Sequence, residues 1–271
     1  MTASTPDTVL TRIALGVEYN GAAFHGWQRQ STPAIATVQG TLEQALSRIA
    51  DHPISVNCAG RTDAGVHGTG QVVHFETPVD RGEKAWIRGT NSHLPAQVRV
   101  QWAHVVSDDF HARHSALSRR YRYIIYTGAV QPTALIKQLT YVNVPLDVTR
   151  MHEAGQHLLG ENDFSAFRAA GCQSRTPMRC INEIKVSRQN QFIVLEVEAN
   201  AFLLHMVRNI AGALLEVGAG RRSPDWVGQV LATRDRSQNA ITARPDGLYL
   251  VNVSYPARYG LPVLPPGPCF L

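Results

Sequence analysis

Ile13, Leu15, Val17 and Tyr19 alternate with Arg12, Ala14, Gly16 and Glu18, a period of two that predicts a strand with one buried face. The period then changes. Over 37–50, Val38, Leu42, Ala45, Leu46 and Ile49 recur at helical spacing behind Thr37, a residue type suited to an N-cap. Strands over about 54–59, 71–76 and 97–106, with a helix over 86–93 between the last two, complete a β-α-β-β-α-β unit. After Ser107 the alternation restarts: strands near 120–127 and 139–144, a helix over 148–159 closed by Gly160, and a hairpin over 182–200 turning at Gln189 and Asn190. A long helix over 201–217, a shorter one opened by Ser223 and Pro224, and a strand over 247–254 follow. The proline-rich stretch 255–271 predicts a surface tail. Two α/β halves are expected, 1–107 and 108–271, with sheets that join and leave a cleft between them.

Within this frame the stretch Gly60–Thr77 carries the candidate chemistry. Gly60, Gly65, Gly68 and Gly70 make an irregular approach to a strand at Gln71–Glu76, and Asp63 sits in the bend. Gly60 and Gly65 have the separation of a phosphate loop, but Val66 and His67 stand where that loop requires Lys and then Ser or Thr. Gly68 and Gly70 begin a dinucleotide fingerprint that Val73 breaks, and the loop enters a strand rather than a helix. What remains is a single carboxylate on a glycine-shaped loop. From the loop alone, an Asp there is more often a turn or capping residue than a catalytic one.

Two other patterns bear on function. On the helix over 201–217, His205, Arg208, Asn209, Gly212 and Glu216 fall on one narrow stripe; such a stripe ordinarily faces solvent. In the strand after Arg119, Tyr121 and Tyr123 point one way and Arg120 and Arg122 the other, which predicts a half-buried strand with a basic outer face.

The chain has 271 residues, is 44% hydrophobic, and carries a formal charge of +5. No apolar run approaches a membrane span, and Met1–Arg12 has no apolar signal core; the cytoplasm is the expected compartment and no membrane the expected partner. The positive balance favours a polyanionic partner. Cys58, Cys172, Cys180 and Cys269 show no CxxC pairing and are expected as reduced thiols. Eleven histidines raise a metal site, yet His152 and His157 stand about 140° apart around a helix, and no Cys or carboxylate completes His111 and His114. No metal is expected.

The run GRTDAGVH, 60–67, resembles the catalytic motif of the tRNA pseudouridine synthases. YNGAAFHGWQRQ (19–30), TVQGTLE (37–43), DDFHARHSALSRRYRYIIY (108–126), GENDFSAFR (160–168), CQSRTP (172–177), HMVRNIAG (205–212) and GLYLV (247–251) extend the likeness over most of the chain and narrow it to the tRNA pseudouridine synthase A family. The resemblance implies an α+β pseudouridine synthase fold: a mixed, mainly antiparallel central sheet flanked by helices, with the catalytic loop in a central cleft. It implies an isomerase, an intramolecular transferase that converts uridine to pseudouridine at positions 38, 39 and 40 in the anticodon stem-loop of tRNA. It further implies a homodimer that uses no cofactor. Asp63 takes the place of the family's nucleophile, Arg208 of its ion-pair partner, Tyr121 of the tyrosine facing the base, and Arg61 of the arginine associated with base flipping. FHARH (Phe110, His111, Ala112, Arg113, His114) and GCQSR (Gly171, Cys172, Gln173, Ser174, Arg175) match segments that contact tRNA.

The chemistry is compatible with one carboxylate. Breaking the N1–C1′ bond, turning the base and rejoining it through C5 loses no group, and an ionised carboxylate near C1′ or C6 serves as nucleophile or as a stabiliser of an oxocarbenium-like centre. A cation beside it keeps such a carboxylate charged and aligned. Two rivals stand beside this reading: a non-catalytic RNA-binding protein with the same basic surface, and a nucleoside hydrolase, which requires a second carboxylate to act on water.

Overall fold

The computed structural model describes residues 10–30 and 35–271, so most of the polar N-terminal segment lies outside the described residues. Among the described residues ten strands form one sheet: β1 (Thr11–Tyr19), β2 (Asn57–Cys58), β3 (His67–Thr77), β4 (Val98–Val106), β5 (Ser118–Tyr126), β6 (Thr140–Tyr141), β7 (Gly160–Asp163), β8 (Met178–Gln189), β9 (Phe192–Ala199) and β10 (Leu248–Ser254). Their order is β4-β1-β3-β10-β5-β9-β8-β7, with β2 beside β3 and β6 beside β5. The pairs β3–β10 and β5–β6 are parallel, and the others antiparallel. The expected mixed, mainly antiparallel α+β sheet is therefore present as one continuous layer. Its parallel seam is narrow: Tyr249 pairs with His67 and Leu250 with Gly68.

Helices cover this sheet at both ends. The helix α1 (Val38–Ala50) begins at the expected cap, where Thr37 Oγ1 accepts from the Gly40 N–H. Its Val38, Leu42, Ala45 and Leu46 pack on Ile13, Leu15, Val17, Val73 and Phe75. The helix expected over 86–93 is broken into α2 (Gly82–Lys84), a π-helical turn at Ala85–Gly89 and α3 (Thr90–His93). Farther along, α4 (Val148–Gln156), α5 (Met206–Gly218) and α6 (Asp225–Thr233) enclose a larger core with the inward side chains of β5, β8 and β9. Among the described residues no helix is long and apolar enough to cross a membrane.

Several boundaries depart from the periodicity for identifiable reasons. The strand expected over 54–59 shrinks to β2, because the Ile54 N–H donates to Ser47 Oγ at 2.8 Å and the Val56 N–H to Glu43 Oε1 at 3.0 Å, leaving neither for a strand partner. The strand expected over 139–144 is the two-residue β6. Helix α4 ends earlier than expected and is followed by β7, which no alternation announced. Helix α5 starts at Met206 rather than 201, since His205 has a φ of 59° and Ala201–Leu204 instead enter the cleft described below. The tail is not merely superficial: Tyr259 is buried, Phe270 and Leu271 pack on Ile124, Val194 and Tyr249, and the Pro266 and Gly267 carbonyls accept from Arg122.

Candidate active site

The loop between β2 and β3 is held from three directions. Gln71, fully buried, brackets Gly60 by donating from Nε2 to its carbonyl at 2.7 Å and accepting from its N–H at 3.4 Å. The Thr62 hydroxyl meets the Tyr19 hydroxyl at 2.9 Å, and the Thr62 carbonyl accepts from the Trp27 N–H at 2.9 Å. Here Gly26 is required: its φ is +91°, and a Cβ would lie 2.9 Å from the Thr62 carbonyl oxygen. Beyond the bend, His67 Nδ1 accepts from the Gly21 N–H at 3.1 Å while Nε2 donates to the Lys137 carbonyl at 2.9 Å. Burial pushes the His67 pKa below its ordinary value, against the opposing pull of the Lys137 and Asp246 carbonyls. This is a neutral structural histidine, stacked on Tyr249 at 4.5 Å across the parallel seam.

Asp63 projects from that loop toward the start of α5. Its Oδ2 lies 3.4 Å from an Arg208 terminal nitrogen and 3.3 Å from His205 Nε2. Arg208 is fixed in turn: its Nε donates to the Ala243 carbonyl at 2.9 Å, and the Ala243 N–H donates back to the Arg208 carbonyl at 3.2 Å. That pairing depends on the polar stripe of α5, much of which turns inward rather than to solvent. Asn209, fully buried, donates to the Phe167 carbonyl at 2.7 Å and accepts from the Thr242 hydroxyl at 2.7 Å. At Gly212 a Cβ would come 2.2 Å from the Ile241 carbonyl oxygen, so only glycine lets this segment dock. Glu216 alone leans outward, to an ion pair with Arg221.

Tyr121, on the central strand β5, faces the same space and packs edge-on against Phe202 at 5.0 Å between ring centres. Burial first, and the Asp63 carboxylate second, push the phenol pKa up, so the hydroxyl is protonated at neutral pH. The opposite face of β5 is not the free basic surface its sequence suggests. Arg120 pairs with Glu183, Glu196 and Glu198, and Arg122 with Glu196, which removes both arginines from the supply of phosphate contacts.

These elements line a cleft of about 1240 Å³. Arg61, Asp63, His111, Arg113, His114, Tyr121 and the run Gly171–Ser174 all border it. Arg175 is exposed outside that lining. Phe110 and Ala112 correct the sequence reading: both are wholly buried, with Phe110 packed edge-on against Tyr259 at 5.0 Å. The Ala112 N–H donates to His74 Nδ1 at 3.1 Å, and its carbonyl accepts from the Tyr255 hydroxyl at 2.6 Å. In FHARH the cleft lining therefore falls to His111, Arg113 and His114.

Two roles had no sequence signal. Arg119, nine-tenths buried, donates to the carbonyls of Ala59 at 3.0 Å, Arg113 at 2.6 Å and Asn200 at 2.9 Å. One guanidinium thus ties the segment leading into the Asp63 loop, the Arg113 loop and the lead-in to α5. Arg168 similarly shapes the 171–175 loop through the Cys172 and Ser174 carbonyls at 2.6 and 2.8 Å. His205 was visible only as a member of the α5 stripe. Among the described residues no three His, Cys, Asp or Glu side chains group as metal ligands.

In this cleft, across the mixed sheet, a carboxylate paired with an arginine faces a buried tyrosine. Residues 16–115 and 154–256 match the family described as tRNA pseudouridine synthase, and the chain belongs to that family. It is 55% identical over 260 residues to the tRNA pseudouridine synthase A of Actinobacillus succinogenes, covering 96% of this chain and 98% of that protein. The proteins of the same name from Coxiella burnetii (strain Dugway 5J108-111) and Psychromonas ingrahamii are 53% and 55% identical, with 97% and 96% of this chain covered and 100% and 99% of theirs. The likeness is thus to the tRNA pseudouridine synthase A branch of the family.

Proposed function

We propose that this protein isomerises uridine to pseudouridine at positions 38, 39 and 40 in the anticodon stem-loop of tRNA, in the cytoplasm, as a homodimer and without a cofactor. Residues 1–107 supply the Asp63 loop, and 108–271 supply Tyr121, Arg208 and the wall formed by Arg113 and the 171–175 loop. The observation that carries the reading is the charge of the cleft: Asp63 is the one acidic side chain among the described residues lining it, against Arg29, Arg61, Arg113, Arg119 and Arg179. A polyanion is attracted to such a surface, and a lone carboxylate within it has the role of a nucleophile rather than of one member of an acid/base pair. A hydrolase, with a second carboxylate for water, is disfavoured by the same count.

In this mechanism a target uridine leaves its stack and enters the cleft, Arg61 filling the space it vacates. The uracil ring lies against Tyr121, and Asp63 attacks the detaching nucleotide. The N1–C1′ bond breaks and the base turns; the C5–C1′ bond forms, the bond to Asp63 breaks and returns the free carboxylate, and C5 loses its proton while N1 takes one up. The decisive experiment incubates the purified protein with unmodified tRNA and maps pseudouridine by chemical derivatisation. Pseudouridine at the three anticodon-arm positions is expected; modification confined to another RNA sinks the substrate assignment.

The arginines are expected to divide their labour. Arg113→Ala or Arg175→Ala should weaken tRNA binding and lower the slope of log affinity against log salt by up to about one phosphate contact each. Arg61→Ala should mainly slow turnover, and a target uridine mismatched in its stem should partly rescue it because less pairing opposes extrusion. If the mismatch helps the Arg61 variant no more than wild type while its salt slope falls like the others, Arg61 is a phosphate anchor instead.

A further inference from the structure

Asp63 offers two carboxylate oxygens to the cleft, and only one of them is held. Arg208 at 3.4 Å and His205 at 3.3 Å both approach Oδ2, whereas Oδ1 has no hydrogen-bond or ion-pair partner among the described residues. A single donor would leave a carboxylate free to swing about it. Two side chains approaching from different residues, Arg208 through a hydrogen bond and His205 through a 3.3 Å contact, restrict that swing.

His205 reaches this position against backbone preference. Its φ of 59° lies in the left-handed region, which a residue with a Cβ adopts only under steric opposition. It occupies the cap position of α5, yet its side chain makes no capping hydrogen bond. Local helix chemistry therefore does not account for the ring. Burial lowers the His205 pKa most, the Asp63 carboxylate opposes that shift, and Arg208 and Arg236 reinforce it. The imidazole is therefore neutral at pH 7, with one N–H to give.

We infer that His205 is a positioning residue, whose Nε2 sits against Asp63 Oδ2 and, with Arg208, leaves Oδ1 as the oxygen that reacts. The inference rests on Asp63 being the nucleophile, as proposed above. Geometry is what such a clamp supplies: a nucleophile displaced by about 1 Å loses on the order of 100-fold in rate. tRNA affinity, which is distributed over many phosphate contacts, is indifferent to it.

The test compares single-turnover rate and tRNA affinity for wild type, His205→Phe, His205→Gly and His205→Gln. The Phe and Gly variants are expected to slow turnover by about 30- to 100-fold while tRNA affinity stays within about twofold. Gln, whose amide nitrogen matches the reach of Nε2, should restore the rate to within about fivefold of wild type. The Gly variant should melt no lower than wild type, because glycine accepts this φ freely; it keeps the test open should the Phe variant fail to fold. Full activity in the Gly variant, or a Gln variant as slow as Gly, overturns the inference. So does a Gly variant that melts far below wild type, which would make His205 a structural residue. If the wild-type protein forms no pseudouridine, the functional reading itself fails; active wild type with indifferent His205 variants removes only the clamp.

Discussion

Asp63→Asn is expected to bind tRNA as wild type does and to lose turnover by at least about four orders of magnitude, more than roughly 5 kcal/mol of barrier. The amide keeps the size of the carboxylate and can still accept through one oxygen, so the loop pinned by Gln71 and Thr62 should be undisturbed. What disappears is the charge and the nucleophile. Single-turnover pseudouridine formation and filter binding on the same preparation separate the two effects. Residual turnover within about a hundredfold of wild type removes Asp63 from its assigned role, since a spectator carboxylate does not contribute more than about 3 kcal/mol.

Arg208→Met is expected to slow turnover by about two to three orders of magnitude, the range for removing one preorganised charged donor from a site of this kind. Two connections are lost together: the contact to Asp63 Oδ2 and the anchor at the Ala243 carbonyl. The second should also register as lost stability of about 1 to 3 kcal/mol, because the Ala243 carbonyl loses its Arg208 side-chain donor. Arg208→Lys restores the charge without the planar fork and should fall between Met and wild type. A Met variant that is destabilised but turns over like wild type would leave Arg208 with an architectural role alone.

The sequence made the long periodic elements legible because their burial is one-sided. Alternation in β1 and helical spacing in α1 survive folding because nothing competes for those backbones. Elsewhere a tertiary partner outbid local preference. The run 54–56 looks like strand, but the Glu43 carboxylate and the Ser47 hydroxyl take its N–H groups. The start of α5 was misplaced because Phe202 is drawn against Tyr121 and the Leu204 N–H toward Cys172 Sγ at 3.4 Å, partners no window of local sequence contains. At the candidate site, the glycine-dense loop marked Asp63, and the period-two strand correctly turned Tyr121 and Arg120 to opposite faces. Charge was read less well, since an arginine has the same letter whether solvated, paired with Glu196 as Arg122 is, or buried among carbonyls as Arg119 is. His205 escaped because its signature is a backbone angle.

The sheet order has a consequence for when activity appears during synthesis. The last strand made, β10, is a middle strand, lying between β3 and β5. Until it is present, the strand leading from the Asp63 loop and the strand carrying Tyr121 have no shared neighbour, and the most distant contacts of the chain are the ones that complete the sheet. The sheet is thus closed by the last of its described strands, as an arch is by its keystone. Chains stalled before Leu248 are expected to bind RNA weakly through their basic loops and to form no pseudouridine, and supplying the missing segment in trans is the direct check.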